Sequence, residues 1–266
     1  MKAVLLRAIF FAFALLGFGI VRTQAQSALS ASEIMDKAVA RTSKVQDGKG
    51  LPAYTYTKVT LTEELDATGK IKDRKEKIYR VCFQNGLTRA RLVQVNGHAP
   101  ADGDVKAQAD NDGSVRHLTG QSKNGKSDNR ENFLTPELVG HFDFELLGQT
   151  NMNGRTAFQM AFKPKNPDAP VHHLVDRLLN RISGTLWIDA EEFELARAEV
   201  ELHSEVNLLG GVVGSLKKLA YTLTRTRVAD GLWLNSSSSG DFEGRKLIDP
   251  MRIKTRSLAS NFRPLS

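Results

Sequence analysis

The sequence contains a single cysteine, Cys82, among its 266 residues. An intrachain disulfide is therefore excluded, and with it a fold that depends on disulfides for stability. Cys82 lies within a run of β-branched and aromatic residues at 78–83, where no neighbouring histidine or helix N-terminus would activate a thiol. We expect a buried, unreactive cysteine in a strand.

The common catalytic motifs are also missing. The glycine-rich residues 210–215 lack the Gly-Lys-Ser/Thr ending of a phosphate-binding loop, and there is no Gly-x-Ser-x-Gly elbow. His172, His173 and Asp176 lie on a predicted helix, but the further ligands that a metal site needs are not evident nearby. Helix capping and solvation explain these three residues more simply, and we predict no metal and no cofactor.

A set of three carboxylates, those of Asp189, Glu191 and Glu192, resembles a cluster for acid-base catalysis. It falls where a turn joins two predicted strands, and turns are acidic because they are solvated. We therefore predict that the protein is not an enzyme.

Only one long apolar run occurs, at residues 8–21, and it follows Lys2 and Arg7. A membrane-spanning helix needs about 20 apolar residues, whereas this run is shorter and ends at Arg22 before small residues. The layout is typical of a secretory signal peptide, with cleavage near Ala25. A retained membrane anchor is the alternative. No cysteine comes directly after the run to accept a lipid, since the first is Cys82, so we expect an unlipidated mature chain, residues 26–266, in the periplasm.

The formal net charge is +7, and removal of residues 1–25 takes away three cations and no acid. Export separates the chain from nucleic acid, so we predict no nucleic-acid partner. Basic side chains concentrate late in the chain, several at alternate positions, and should share a solvated sheet face. This face either has no binding role or is attracted to an anionic membrane surface or an acidic partner. The basic residues are Arg225, Arg227, Arg245, Lys246, Arg252, Lys254 and Arg256.

Strand-forming segments dominate the mature sequence. Their β-branched and aromatic composition and their alternation of apolar with polar residues predict about eleven strands. Short turns such as Asn85-Gly86, Asn153-Gly154 and Asp230-Gly231 favour sequential antiparallel pairing. The predicted strands are residues 54–65, 75–84, 87–96, 142–150, 155–162, 182–189, 195–204, 216–228, 232–238, 241–248 and 252–262.

Few helices are predicted. Residues 32–45 have apolar side chains at helical spacing with Ser32 as a plausible N-cap, and residues 171–181 form a second amphipathic segment. Residues 104–109 could be helical, whereas residues 121–131 read as a mobile polar loop. The apolar loop at residues 206–213 either packs into the core or caps a cavity.

These elements predict one mainly β (α+β) domain, in which a curved antiparallel sheet forms an incomplete barrel with a helical lid. An apolar hollow between sheet and helices is the candidate ligand site. A closed core would give the same pattern at each of these positions. The candidate lining residues are Tyr79, Val81, Phe83, Phe158, Met160, Phe162, Tyr221 and Leu223 from the sheet, with Leu174 and Leu178 from the lid.

The order of elements resembles the LolA-like fold of the outer-membrane lipoprotein-sorting family. The segments that carry the likeness are the opening helix, the strand ending in Tyr79-Arg80-Val81, and residues 142–148, 153–155, 184–189 and 230–233. The resemblance spans about residues 32–264. This chain is longer than the small carriers of that family, and their lid-locking arginine matches no single position in it.

The resemblance implies a non-enzymatic periplasmic carrier whose hollow receives the acyl chains of a lipid or lipoprotein. An envelope interaction or stress-sensor module with the same fold is the alternative. It would have a filled core, a functional basic face and a protein partner.

Overall fold

The computed structural model describes residues 29–46, 50–105, 134–170, 174–208, 214–247 and 249–265. Within these ranges the helices are α1 (Ala31–Gln46), α2 (Pro136–Gly140) and α3 (Leu174–Leu179), and residues 102–105 are also helical. The strands are β1 (Tyr54–Leu65), β2 (Ile71–Gln84), β3 (Leu87–Val95), β4 (Phe142–Met152), β5 (Arg155–Pro164), β6 (Ile182–Asp189), β7 (Leu195–Leu202), β8 (Val206–Leu208), β9 (Gly214–Ala229), β10 (Leu232–Lys246) and β11 (Asp249–Pro264). The predicted signal and the loop at 121–131 lie outside the described residues.

The eleven strands form one antiparallel sheet. Its order is β3-β2-β1-β11-β10-β9-β7-β6-β5-β4, with β8 paired to β9. The end strands β3 and β4 do not pair with each other, so the curved sheet stays open. The predicted incomplete barrel of about eleven strands is confirmed.

Tight turns set the register, as the sequence indicates. Asn85 and Gly86 have φ angles of 54° and 75°, and Asn153 and Gly154 have φ angles of 53° and 83°. Positive φ at both central residues defines the hairpin turn whose twist matches that of its strands. Each Asn-Gly pair therefore joins two neighbouring strands directly, β2 to β3 and β4 to β5.

Two strand predictions were wrong, but the errors cancel in the number of strands, which stays at eleven. The segments 232–238 and 241–248 were expected as separate strands, but β10 runs through both. A Cβ atom at Gly240 would lie only 2.4 Å from the Phe242 ring, so this glycine makes room for the ring within a continuous strand. Conversely, part of the predicted apolar loop forms the short strand β8.

Cys82 also differs from expectation, because it is half-buried rather than buried.

Helix α1 matches the predicted segment to within one residue at each end, but its cap was misassigned. The Ser30 hydroxyl accepts a hydrogen bond from the Glu33 amide, and the Glu33 carboxylate accepts one from the Ser30 amide at 2.8 Å. This reciprocal pair is a capping box, so Ser30 rather than Ser32 is the N-cap. None of the described helices is long and apolar enough to cross a membrane.

Helix α1 packs on one face of the sheet, which we call the inner face. Its buried residues Ile34, Met35 and Ala38 belong to the same apolar cluster as Met160 on β5 and Leu223 on β9. One cross-strand row on this face runs, from β3 to β4, through Val95, Lys77, Thr60, Ser257, Ser238, Leu223, Ala198, Leu186, Met160 and Leu146. This row is therefore apolar from β9 to β4 and polar across β2, β1, β11 and β10, although a second apolar cluster with Tyr56, Val81 and Phe83 lies on the same strands.

Candidate functional site

The predicted lining residues fall into two apolar clusters instead of one hollow. Phe158, Met160, Phe162 and Leu223 are buried beneath α1, and Tyr221 packs against them. Val81 and Phe83 are buried in a second cluster with Tyr56, Leu232 and Leu234, and Tyr79 packs at its margin. Leu178 on α3 is half-buried, whereas the side chain of Leu174 and residues His172 and His173 lie outside what the structure describes.

Beneath α1 the inner face is filled by the protein's own side chains. Ile34, Ala38, Met160 and Ile188 are all 0% exposed. A ligand that reached this part of the sheet would have to displace the helix. The described structure therefore corresponds to a closed lid.

An open groove nevertheless lies at the edge of this lid. It has a volume of about 480 Å³ and separates α1 and α2 from the start of the edge strand β4. Met35, Val39, Val139, Phe142 and Phe144 supply apolar lining. Its polar lining comes from Ser32, Asp36, Asp143 and Lys165.

Three phenylalanines connect the groove with the core. The Phe142 ring packs edge-on against Phe162 with a centroid distance of 5.1 Å, and Phe144 lies 6.4 Å from Phe162. Phe142 and Phe144 line the groove, and Phe142 is also a buried member, with Phe162, of the cluster beneath α1. The apolar surface of the groove is thus continuous with the closed core.

Helix α1 is fixed to the sheet by Arg41. Its Nη2 donates to the carbonyl of Gly231 at 2.6 Å, and its Nε lies 3.1 Å from Glu194 Oε1. Glu194 is 4% exposed and also accepts from Arg225 Nη1 at 2.8 Å. The β6–β7 and β9–β10 turns therefore both hold the helix through one guanidinium.

This network corrects two sequence predictions. Arg225 and Arg227 were expected on a solvated face, but Arg225 has only 11% of its side chain exposed, and Arg227 Nε lies 2.5 Å from Glu192 Oε1. Glu192 was expected to be solvated, but it also accepts from Trp233 Nε1 at 2.8 Å. The sequence shows charged residues in a turn and in a strand, but it gives no signal that they pair across 31 and 35 positions.

Asp189 likewise is not a solvated turn residue. It is 1% exposed, and Arg155 donates to both of its oxygens at 2.7 and 2.8 Å. Burial alone would raise the pKa of Asp189, but hydrogen bonds from Arg155 and from the Glu192 and Glu191 amides lower that pKa below its ordinary value. The carboxylate stays ionised and organises the turn, which is a structural role.

The outer face carries a second groove of about 530 Å³. Val59, Leu61 and Leu258 give it an apolar floor, and Glu76 and Arg256 lie beside them. Leu258 is 62% exposed. No group of three or more histidine, cysteine, aspartate or glutamate residues in the described ranges could hold a metal ion.

Comparison with known proteins gives structural similarity alone. No protein-family profile and no curated protein matches the chain. Similar solved structures include a LolA superfamily protein from Nitrosomonas europaea, at 10% identity and a TM-score of 0.32, covering 90% of this chain and 95% of that one. A DUF1329 family protein from Desulfovibrio piger has 14% identity and a TM-score of 0.39, with coverage of 90% and 96%.

A domain named for outer membrane lipoprotein sorting, from Vibrio parahaemolyticus, is similar at 12% identity and a TM-score of 0.34, with coverage of 89% and 94%. These structures include the family that the sequence resembles. At these identities and TM-scores the similarity does not identify a ligand.

Proposed function

We propose that the protein is a non-enzymatic binding or carrier protein for the acyl chains of a lipid or lipoprotein, acting in outer-membrane lipoprotein sorting. In this proposal residues 1–25 are a signal peptide cleaved near Ala25, and residues 26–266 form a single periplasmic domain. The observation that carries it is the groove between α1, α2 and β4, whose apolar lining is continuous with the core beneath α1.

The groove suits an apolar chain better than a polar ligand. Its volume lies within the usual range of about 300–1,000 Å³ for small-molecule sites, and its apolar lining residues outnumber the charged ones, Asp36, Asp143 and Lys165. Burial of each methylene group contributes about 0.8 kcal/mol, so a chain of several methylenes that lies along Phe142 and Phe144 would bind with useful affinity.

A longer acyl chain would extend beneath α1. Moving α1 away from the sheet would expose Phe158, Met160, Phe162 and Leu223, the residues of the predicted lining that the helix now covers. Tyr221 lies at the margin of the same surface. The second set, Tyr79, Val81 and Phe83, would contact the ligand at the other apolar cluster, and Leu174 and Leu178 would contribute from α3.

A groove-filling substitution tests this site. We expect Val139→Trp to occupy the groove and to lower the affinity for a fluorescent long-chain fatty acid at least tenfold, as measured by titration. Leu147→Trp adds the same bulk on β4, where Leu147 is 53% exposed outside the groove, and should change the affinity less than twofold. Equal binding by both variants would place the ligand elsewhere.

The second candidate function, an envelope interaction or stress-sensor module, is favoured by the outer groove. Its exposed Leu258 lies with Val59 and Leu61 in one apolar patch, and contiguous exposed apolar patches mark surfaces that a partner covers. This alternative predicts that the purified protein carries no acyl ligand and binds no fatty acid.

A further inference from the structure

The inner face changes character between β9 and β10. On the β10 side, the row that continues from Leu223 consists of Ser238, Ser257, Thr60 and Lys77. The neighbouring row changes at the same place, because Tyr221 is followed by Gly240, Thr255, Thr62 and Lys75. In these two rows, the inner face across β10, β11, β1 and β2 is therefore lined by hydroxyl groups and lysines, and this polar region borders apolar residues at Leu223 and Tyr221 and at the second cluster.

Three lysines lie on this polar region of the inner face. Lys75 and Lys77 are two residues apart on β2 and so share a face, and Lys58 on β1 lies opposite Tyr79 in the next row. The Lys58 ammonium lies 5.3 Å from the centroid of the Tyr79 ring, which directs the amine along the sheet surface. All three side chains are half-buried or close to it.

Carboxylates do not balance these charges within the described residues. Asp104 Oδ1 lies 2.6 Å from Lys75 Nζ and neutralises that lysine. The Lys75 hydrogen bond lowers the pKa of Asp104, and Lys77 contributes only as a more distant charge. In the described part of the chain, Lys58 and Lys77 have no carboxylate within ion-pair distance. Among the described residues, the half-buried Lys58 and Lys77 thus have no carboxylate partner, and they share a sheet face with the Thr60 and Ser257 hydroxyls.

The hydroxyl groups are placed to assist in binding an anion. Thr60 Oγ1 and Ser257 Oγ lie 2.9 Å apart, so one hydroxyl donates to the other and the pair retains a proton that can be directed to a ligand oxygen. Ammonium and hydroxyl groups together favour a phosphate ester or a carboxylate, because hydrogen bonds to an ionised acceptor are about twice as strong as neutral ones.

We propose that Lys58 and Lys77, with the Thr60 and Ser257 hydroxyls, bind the anionic head group of an amphiphile whose apolar part lies against the neighbouring apolar inner face. This inference rests on the proposed function and adds a ligand class to it: the acyl-bearing ligand carries a phosphate or carboxylate. A neutral or zwitterionic amphiphile with the same chains binds more weakly.

The test compares two soluble short-chain lipids with identical acyl chains, dioctanoyl phosphatidylglycerol and dioctanoyl phosphatidylcholine, below their micellar concentrations. Calorimetric titration of the wild-type protein should show at least fivefold tighter binding of phosphatidylglycerol. In the Lys58→Gln/Lys77→Gln variant this preference should disappear, with phosphatidylcholine binding changed less than twofold. Lys163→Gln removes an exposed cation on β5 and should keep the wild-type preference. Each single lysine variant should lose part of the preference without a change in melting temperature.

The outcomes separate this inference from the proposed function. Equal binding of the two lipids by the wild-type protein, or an unchanged preference in the double variant, would overturn the head-group site while leaving acyl binding intact. If neither lipid binds the wild-type protein, the proposed function itself fails. Glycerol phosphate and inorganic phosphate should bind at least tenfold more weakly than phosphatidylglycerol, and affinity equal to that of the lipid would identify a free-anion site and overturn the amphiphile.

Discussion

Asp189 illustrates how single residues stabilise this fold. Its carboxylate is buried at the end of β6, accepts two hydrogen bonds from Arg155, and accepts the amides of Glu191 and Glu192 in the following turn. These donors outweigh the cost of burial and lower the pKa of Asp189 below its ordinary value of 3.8. A group whose pKa is lower in the folded state stabilises that state above the ordinary pKa, and this contribution is lost as the pH falls through the folded value.

We therefore predict that Asp189→Asn lowers the free energy of unfolding by about 2 kcal/mol at neutral pH, a value reduced from that of a fully buried pair because a quarter of Arg155 is exposed. The difference from wild type should shrink as the pH falls below 4. Denaturant unfolding at pH 7 and at successively lower pH measures both effects. The exposed Asp168→Asn is the control and should follow the wild type, whereas a constant difference at every pH would contradict the ionised-carboxylate role.

At the scale of elements, α1 depends on its contacts with two turns. Arg41 joins the helix to Gly231 in the β9–β10 turn and to Glu194 after the β6–β7 turn. Lys37 adds a contact 4.8 Å from the Phe193 ring centroid. A Cβ atom at Gly231, where φ is +67°, would lie 3.2 Å from Arg41 Nη2, so a glycine at this turn permits the close approach of the guanidinium.

Arg41→Gln should loosen α1 without unfolding the sheet. We expect the amides of residues 35–42 to exchange at least tenfold faster in a hydrogen-exchange measurement, while those of β1 and β9 keep their wild-type rates, because opening of the helix would no longer break the Gly231 and Glu194 contacts. Lys44→Gln, at an exposed position on the same helix, should leave all rates unchanged. Uniform acceleration through the sheet would instead mean that Arg41 stabilises the whole fold.

Local patterns in the sequence predicted most elements. Both bounds of β1 and of β6 agree with the alternation and turn signals, since those signals depend only on neighbouring residues. The predicted break between two strands near Gly240 was wrong, because a glycine in a serine-rich stretch resembles a turn, whereas here it accommodates the Phe242 ring within one strand. The Arg41 network could not be predicted, because its members are distant in sequence and only the order of strands brings them together.

At the scale of the whole molecule, the inner face has two apolar clusters and a polar region. Each of the eight sheet residues proposed as lining lies in or against one of these two clusters, as their alternation indicated. The separation of these residues into two clusters follows from strand order and register. The position of Thr60, Ser257 and Lys77 on β1, β11 and β2, between β3 and the apolar part of the same row, has the same cause. Neither property is encoded in a single segment, so sequence patterns alone could not give the layout.

The proposed function requires that the sheet, with α1 covering part of its inner face, binds an acyl chain in the groove beside α1. Native mass spectrometry of the protein purified from cell envelopes without detergent tests it most directly. We expect a bound acyl-bearing molecule at one per chain in the wild type and in Leu147→Trp, and its loss in Val139→Trp. Ligand-free wild-type protein, or the same ligand retained in all three proteins, would contradict it.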